Sequence, residues 1–380
     1  MIDVTQRRAA DAWFLDRGLP AVLRPGALVR RLWPRSAPAL AGFAVFMANS
    51  ALVVAVTGKH TIDIDGQPTR TEWFVLALIV LVLPVAVLVG WLVSRISTVR
   101  GRSVASTVAM TVAIAGGFLG GPSPRILVDL VIEGVVIAAI LALTACGAGS
   151  IVGWAVRMTM SNLAAAGSMV TRALPLLLLT ILVFFNSPVW LMAATISRPR
   201  LWLALLFLTA IAAVFVVSVT RDRVKPMMDS DEPAHDHSER LADTPFETMP
   251  DPATVRSLSH VERLNVMFVV ATTLLSQILI IAAMTSLLFL ILGLIVLSPE
   301  LLAAWTRNGR SDGTVLGMTI PVPDSLLQTT FFLGALTFMY ISARTVSDDD
   351  YRTRFFDPLI DDVQLTLTAR SRYRAAVAAP

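Results

Sequence analysis

The feature that most constrains this chain is a series of eight long apolar runs, separated by segments that carry arginine. The runs lie at about 37–57, 73–93, 104–121, 126–146, 173–193, 201–220, 264–292 and 325–343. Each is close to the ~20 residues that a helix needs to cross a bilayer. A hydrophobic fraction of 55% and a mean hydropathy of +0.71 also differ from those of a soluble domain. Because lipid admits only backbones that satisfy their own hydrogen bonds, the sequence predicts an all-α membrane protein, a bundle of about eight transmembrane helices.

The positions of the cationic residues predict how this bundle is oriented. If the N-terminus is cytoplasmic and every run crosses, 24 of the 31 Lys and Arg residues lie in cytoplasmic segments. The other seven are Lys59, Arg70, Arg125, Arg198, Arg200, Arg307 and Arg310. This asymmetry is the positive-inside pattern, and omitting any run would invert the loops that follow it. We therefore expect both termini to be cytoplasmic in a bacterial plasma membrane, with the bilayer, not nucleic acid, as the partner of the net charge of +4.

The runs divide the chain into five parts. Residues 1–36 are predicted to be a basic, amphipathic cytoplasmic segment, 37–220 transmembrane helices one to six, and 221–262 an acidic cytoplasmic linker. Residues 263–345 are predicted to hold helices seven and eight, and 346–380 a cytoplasmic tail. The linker is rich in acidic residues and proline, which predicts disorder.

Both ends are predicted to carry amphipathic cytoplasmic helices. A short helix at 5–17 would end at Gly18. In the tail, Asp357-Pro358 is a helix-start pattern, after which Leu359, Val363 and Leu367 recur at four-residue spacing. This stripe is a possible docking face for a protein partner or for the cytoplasmic loops.

The N-terminal arginines allow two interpretations. Leu28, Val29, Leu32 and Trp33 alternate with Arg30, Arg31 and Arg35. The segment either lies in the membrane interface, with its arginines on anionic lipid headgroups, or is a basic approach to the first span.

Several segments leave alternatives open. Run 104–121 ends in the overlapping pairs Gly116/Gly120 and Gly117/Gly121, which favour close helix packing but also fit a re-entrant helix. Residues 155–172 fit a surface helix or an extension of the fourth run, and 264–297 fit one long tilted helix. The loops 58–72 and 298–324 contain Asp-Gly and Asn-Gly turn signals, and strand pairing between them is a further hypothesis.

Known catalytic and cofactor patterns are missing. The sequence has no P-loop, GxGxxG, HExxH or GxSxG element, so we predict no enzymatic activity and no cofactor. His235-Asp236-His237 lies in the acidic linker and is interpreted as solvated charge, not as a metal site. Cys146 is the single cysteine, which excludes an intramolecular disulfide.

One group of ionisable residues stands inside a predicted span. Arg125, Asp129 and Glu133 are spaced by four on the fourth run and therefore share one helix face. Glu133 would lie roughly 12 Å from Arg125, within the hydrocarbon, where an unpaired charge costs at least ~2.5–3.5 kcal/mol. Under a structural interpretation, Arg125 pairs with Asp129 and a protonated Glu133 hydrogen-bonds to a neighbouring helix. Under a functional interpretation, the row is a proton or cation site.

Three motifs resemble a family of uncharacterised actinobacterial integral membrane proteins. They are Trp13-Phe14-Leu15-Asp16-Arg17-Gly18-Leu19-Pro20, Ala173-Leu174-Pro175 followed by Leu176 to Phe185, and Arg354-Phe355-Phe356-Asp357-Pro358-Leu359. A strong excess of arginine over lysine agrees with such an origin. The resemblance implies a multi-pass inner-membrane protein and no particular activity.

Two functions follow from these patterns. The first is a non-enzymatic accessory or scaffold subunit of the cell envelope that presents its two cytoplasmic ends to partners. The second is a proton- or cation-coupled secondary transporter that uses Asp129 and Glu133. The sequence between 37–146 and 173–343 shows no convincing inverted repeat, which is a common transporter feature.

Overall fold

A computed structural model describes most of the chain as helix. The described residues are 3–23, 26, 28–29, 31–58, 69–120, 126–170, 181–229, 239–250, 257–307, 313–315, 318–320, 322–347 and 356–378. The helices before residue 171 are α1 (Val4–Asp16), α2 (Leu32–Thr57), α3 (Arg70–Ser94), α4 (Val99–Gly120), α5 (Ile126–Ala145) and α6 (Ala148–Val170). The later ones are α7 (Ser187–Thr195), α8 (Arg198–Asp229), α9 (His260–Val296), α10 (Pro299–Thr306), α11 (Asp324–Ser347) and α12 (Asp357–Ala378).

Among these described helices, seven are long and apolar enough to cross a membrane. They are α2, α3, α4, α5, α8, α9 and α11. The chain is therefore a multi-pass membrane protein with an all-helical membrane part, as predicted. α4 is continuous over 22 residues, which agrees with a spanning helix, and α9 is one helix of 37 residues, roughly 55 Å long.

The predicted run 173–193 differs from the other seven. Its first part lies outside the described residues. In the described part, a helix at 181–184 stops at Phe185 and Asn186, and α7 then begins with Pro188 in its first turn. A nine-residue helix is too short to cross a bilayer by itself.

The helix boundaries bear on two local predictions that had left alternatives open. α6 is a separate helix and not an extension of the fourth run, because Gly147 adopts φ 78° and turns the chain after Ala145. Leu32 to Arg35 form the first turn of α2, so this part of the arginine-rich segment belongs to the first span.

The strand hypothesis is only partly within the described residues. The strands Gly313–Val315 and Met318–Ile320 pair with each other, antiparallel, inside the loop 298–324. Of the other loop, residues 59–68 lie outside the described part of the chain. The hairpin therefore needs no partner strand from that loop.

The chain forms two compact units. One comprises residues 25–148 and 311–324 and contains α2 to α5. The other comprises residues 1–24, 149–310 and 325–380 and contains the remaining long helices.

In the first unit, α4 lies directly against α2. Small residues make this approach possible, since a Cβ at Gly116 would lie 2.9 Å from the backbone of Met47 and one at Gly120 would overlap Ala51. Ser50 Oγ donates a hydrogen bond to the Gly120 carbonyl at 2.7 Å across the same contact. The predicted close packing of the glycine row is therefore confirmed, with α2 as the neighbour.

This contact gives a testable prediction on stability. Leucine at Gly120 must push α2 and α4 apart, so we expect a loss of about 1–3 kcal/mol and a lower Tm in detergent. Gly134 on α5 is the matched control, because a Cβ there meets nothing within 4 Å. Gly134→Leu should be neutral or slightly stabilising, since leucine has the higher helix propensity. Equal Tm values for the two variants would contradict the packing.

In the second unit, α9 is the central helix and α11 packs antiparallel to it. Ser286 Oγ donates to the Thr330 carbonyl at 3.4 Å, and Leu326 fills the space above Gly293. Near the end of α9, Phe289 stacks on Phe184 with ring centroids 5.1 Å apart. Trp190 is fully buried beside Phe184 and donates Nε1–H to the Phe184 carbonyl at 2.5 Å.

At the other end of α9, the two terminal helices meet. We call this region the terminal-helix cluster. It consists of α1, residues 17–23, residues 239–250, the first turns of α9, and the whole of α12. Phe14 lies at its centre and packs against Phe246 and Tyr373, with ring centroids 5.2 and 5.6 Å apart. Leu359 and Val363 of α12 are buried and Leu367 is half-buried, so the predicted tail stripe is largely covered within this unit.

The cluster corrects the predicted disorder of 221–262. Helix α8 continues to Asp229, and residues 239–250 bury Leu241, Phe246 and Met249. Residues 230–238 and 251–256 of this linker lie outside the described part of the chain. The predominantly polar composition of 221–262 predicted disorder, although three of its apolar residues are buried in the folded chain.

Buried polar contacts tie the cluster to α9. Arg370 Nη2 lies 2.8 Å from Glu262 Oε2, and Arg374 Nη2 lies 3.2 Å from Glu262 Oε1. Asn265 accepts a hydrogen bond from the Ala21 amide and donates one to the Gly18 carbonyl, both at 3.0 Å. These contacts hold both terminal segments against one end of the same helix.

Further contacts join the two terminal helices directly. Tyr373 donates its hydroxyl proton to Asp11 at 3.0 Å. Arg17 forms an ion pair with Asp362 and stacks over the Trp13 ring at 4.5 Å. α1 and α12 are therefore partners in the folded chain.

Candidate intramembrane carboxylate site

Helix α5 presents two carboxyl groups on its packed face. Asp129 and Glu133 are each 3% exposed, whereas Leu127, Val131 and Val135 are at least half exposed. α5 packs against α2 and α4, with Ile137 and Ile140 against their shared apolar core. The outer face of α5 therefore suits lipid, and the acids lie on the side that meets protein.

Glu133 lies against a glycine of α4. A Cβ at Gly117 would overlap Glu133 Oε2 and lie 3.4 Å from its Cδ. The same Cβ would lie 3.6 Å from Leu130 Cδ2, one turn earlier on α5. The carboxyl group thus occupies the space that a side chain at position 117 would need.

Neither oxygen of Glu133 has a hydrogen-bond partner among the described residues. The predicted hydrogen bond from Glu133 to a neighbouring helix is therefore not observed in that part of the chain. Arg125, the third member of the predicted row, lies outside the described residues. An ionised carboxylate without partners is expensive in an apolar setting, so this environment accommodates the neutral acid.

The cations of the neighbouring helices lie far from this carboxyl group. α4 carries Arg100 and Arg102, and Arg102 is roughly 22 Å along the helix from Gly117. In α2 the charged residue is Arg35, in its first turn. Among the described residues, the charged group closest to Glu133 along the chain is the acid Asp129, one turn away on α5.

The sequence located the acids but not their surroundings. The spacing of Asp129 and Glu133 predicted a common face, and both side chains are buried. Gly117 was assigned to a helix-packing pair, whereas the structure places it against Glu133. The sequence did contain a signal for this contact. Adjacent helical residues such as Gly116 and Gly117 point about 100° apart, so they can contact two different neighbouring helices.

A further buried polar residue lies in the second unit. In α9, Gln277 is buried, and its side-chain N and O atoms have no hydrogen-bond partner among the described residues. Within the described part of the chain, no group of three or more His, Cys, Asp or Glu residues is arranged to hold a metal ion.

Comparison with known proteins gives no relative. No protein-family model matches this chain, and neither a curated protein nor a solved structure matches it. The fold and the carboxylate site are therefore interpreted from the residues of this chain.

Proposed function

We propose that this protein is a proton- or cation-coupled secondary transporter of the bacterial plasma membrane, with Glu133 as the coupling carboxylate. The observation that carries the proposal is the buried Glu133 carboxyl group, which has no partner among the described residues and rests on Gly117. Ionisable side chains inside membrane helices are costly, and they commonly mark ion pathways. Asp129, on the same face, is the second member of the site.

The scaffold function predicted from the sequence has lost part of its basis. It relied on the missing catalytic motifs and on two cytoplasmic ends that partners could bind, including the apolar stripe of the tail helix. In the structure the apolar faces of the two ends cover each other, since Phe14, Leu359 and Val363 are buried in the terminal-helix cluster. Docking by another protein would then have to use the polar outer faces of α1 and α12.

The terminal-helix cluster supports a cytoplasmic location for both ends. α1 and α12 are in direct contact, so both lie on one side of the membrane. An even number of crossings is then required, and the seven candidate helices need one more.

Two contacts of the second unit support the predicted eighth crossing at run 173–193. Ile151 lies near Val269 of α9, because both approach Gly18. Phe184 stacks on Phe289, about 20 residues or roughly 30 Å further along α9. That distance matches the hydrocarbon thickness of a bilayer.

The single cysteine provides a test of this topology. Cys146 is exposed at the turn between α5 and α6, which the proposed topology places in the cytoplasm. We expect a membrane-impermeant maleimide to label it in inverted vesicles and not in intact cells. In a Cys146→Ser background, Gly66→Cys should show the opposite pattern. Labelling of Cys146 from outside intact cells would refute the topology.

Transport itself is tested in liposomes loaded with a pH-sensitive dye. Pools of amino acids, sugars, nucleosides or monovalent cations are added outside, and wild type should change the internal pH with at least one pool. Glu133→Gln keeps the shape but does not titrate, so it should abolish the pH change while elution profile and Tm stay near wild type. Glu72→Gln, at an exposed helix start, is the control and should transport normally.

Two results would count against transport. One is a wild-type protein that changes neither the internal pH nor, in parallel liposomes loaded with a Na⁺- or K⁺-sensitive dye, the internal cation concentration with any pool. The other is full proton movement by Glu133→Gln.

A further inference from the structure

We propose that the ion exchanged at Glu133 is a proton, bound as the neutral carboxylic acid seated on Gly117. This inference rests on the proposed function and specifies its coupling ion. The site would alternate between a protonated form, when closed against α4, and a deprotonated form, when water reaches it.

The available ligands favour a proton over a metal cation. A bound proton needs one carboxyl oxygen, whereas hard cations such as Ca²⁺ and Mg²⁺ take about six or more oxygen ligands. The wall opposite Glu133 Oε2 is Gly117, and Leu130 borders the same space. Ser50, a hydroxyl of α2 that contacts α4, already donates its proton to the Gly120 carbonyl. Two carboxyl groups on one helix face cannot complete a metal shell alone.

The position of Gly117, which faces the Glu133 carboxyl group, is fixed by the contact between α4 and α2. Gly116 and Gly120 pack α4 against Met47 and Ala51 of α2, so a larger residue at position 117 would have to displace the Glu133 carboxyl group rather than α4. A carboxyl group that lies against a glycine backbone has little room on that side for the water ligands of a metal cation. Gly117 is a positioning residue for the carboxyl group.

The charges that influence this titration are few. On α5 they are Asp129 and, before the helix, Arg125. On α4 they are Arg100 and Arg102 in its first turn, and on α2 Arg35, also in the first turn. Burial of the carboxyl group among apolar side chains favours the neutral acid at Glu133.

A hydrophobic carbodiimide tests the protonation state directly. Dicyclohexylcarbodiimide partitions into the bilayer and reacts with protonated carboxyl groups. The carboxyl proton moves to one reagent nitrogen, and the carboxyl oxygen bonds to the central carbon, which gives an O-acylisourea. The acyl group then shifts from oxygen to nitrogen to form a stable N-acylurea. The whole reagent is retained, no group leaves, and no oxidant is needed.

The experiment uses the full chain in liposomes and mass spectrometry of the peptide that contains Glu133. We expect an adduct at Glu133 whose yield falls about tenfold per pH unit above the titration midpoint. Excess Na⁺ or K⁺, compared with choline at equal ionic strength, should leave the yield unchanged. Gly117→Ala should shift the midpoint or lower the yield several-fold, while Gly134→Ala, in open space, should match wild type.

The outcomes separate this inference from transport. Protection of Glu133 by Na⁺ or K⁺, together with active liposomes, would overturn the proton as coupling ion and leave transport standing. A pH-dependent, Na⁺-insensitive adduct in liposomes that move no solute would support the proton site and count against transport. An adduct yield independent of pH, or none at any pH, would overturn the proton site.

Discussion

Replacing Glu262 with alanine is expected to lower the free energy of unfolding by about 3–5 kcal/mol, because it removes the only carboxylate that the structure places on the buried Arg370 guanidinium among the described ion pairs. The side chains of Glu262 and Arg370 are 3% and 4% exposed, and both oxygens of Glu262 are used by arginines. Arg374 is more exposed and can turn to water, so most of the loss should come from Arg370. The measurement is thermal or denaturant unfolding of purified protein in one detergent.

Glu72 is the matched control for this substitution. Glu72 and Glu262 each close a capping box, with Thr69 and Ser259 respectively. Glu72 has no buried arginine on it in the described part of the chain, so Glu72→Ala should remove only the cap, typically about 1 kcal/mol. Similar losses for the two alanine variants would mean that the arginine contacts contribute nothing.

A double replacement separates the ion pair from the packing. Glu262→Met with Arg370→Met removes both buried charges and keeps similar volumes. Since apolar replacements of buried ion pairs are often close to neutral, this variant should regain most of the stability lost in Glu262→Ala.

Phe246→Ala is expected to have a similarly large effect, about 3–5 kcal/mol, because it empties a buried aromatic position. Phe246 has no solvent exposure and contacts Trp13 and Phe14, with ring centroids 4.9 and 5.2 Å apart. Loss of this ring should release residues 239–250 from α1. Limited trypsin digestion should then cut faster after Arg240, which is exposed.

The control for Phe246 is a polar neighbour in the same segment. Thr248 receives a hydrogen bond from Gln6 at an exposed position, so Thr248→Ala should hardly change the cleavage rate. Rapid cleavage after Arg240 in wild type, at the rate seen in the Phe246 variant, would show that this segment is not packed in solution.

An element could be predicted from the sequence when its stability comes from its own residues, and not when it comes from distant contacts. Long helices such as α9 follow from local composition, because in lipid an apolar helix needs no tertiary partner to form. The burial of Asp129 and Glu133 followed from the cost of placing carboxyl groups against lipid. The order of 239–250 could not be predicted, because its buried Phe246 acquires its ring contacts from Trp13 and Phe14, in a distant part of the chain.

The site shows the same limit. A pair of neighbouring glycines predicts close approach but does not say which helix approaches which glycine. Assigning Gly116 to α2 and Gly117 to Glu133 required the relative rotation of three helices. The break at Asn186 was equally hidden, because the residues on both sides of it are apolar.

The terminal-helix cluster can be completed only after the end of the chain has been synthesised. Asp11 and its partner Tyr373 are separated by 362 positions. At roughly 5–20 residues per second, a ribosome would make α1 on the order of 20–70 s before α12. Throughout that interval Phe14 lacks its ring contact with Tyr373, and Glu262 lacks both arginines. A chain interrupted before Arg370 would therefore leave part of the apolar face of α1 uncovered and the Glu262 carboxylate without its arginines, and we expect cellular proteases to degrade such a chain faster than the complete protein.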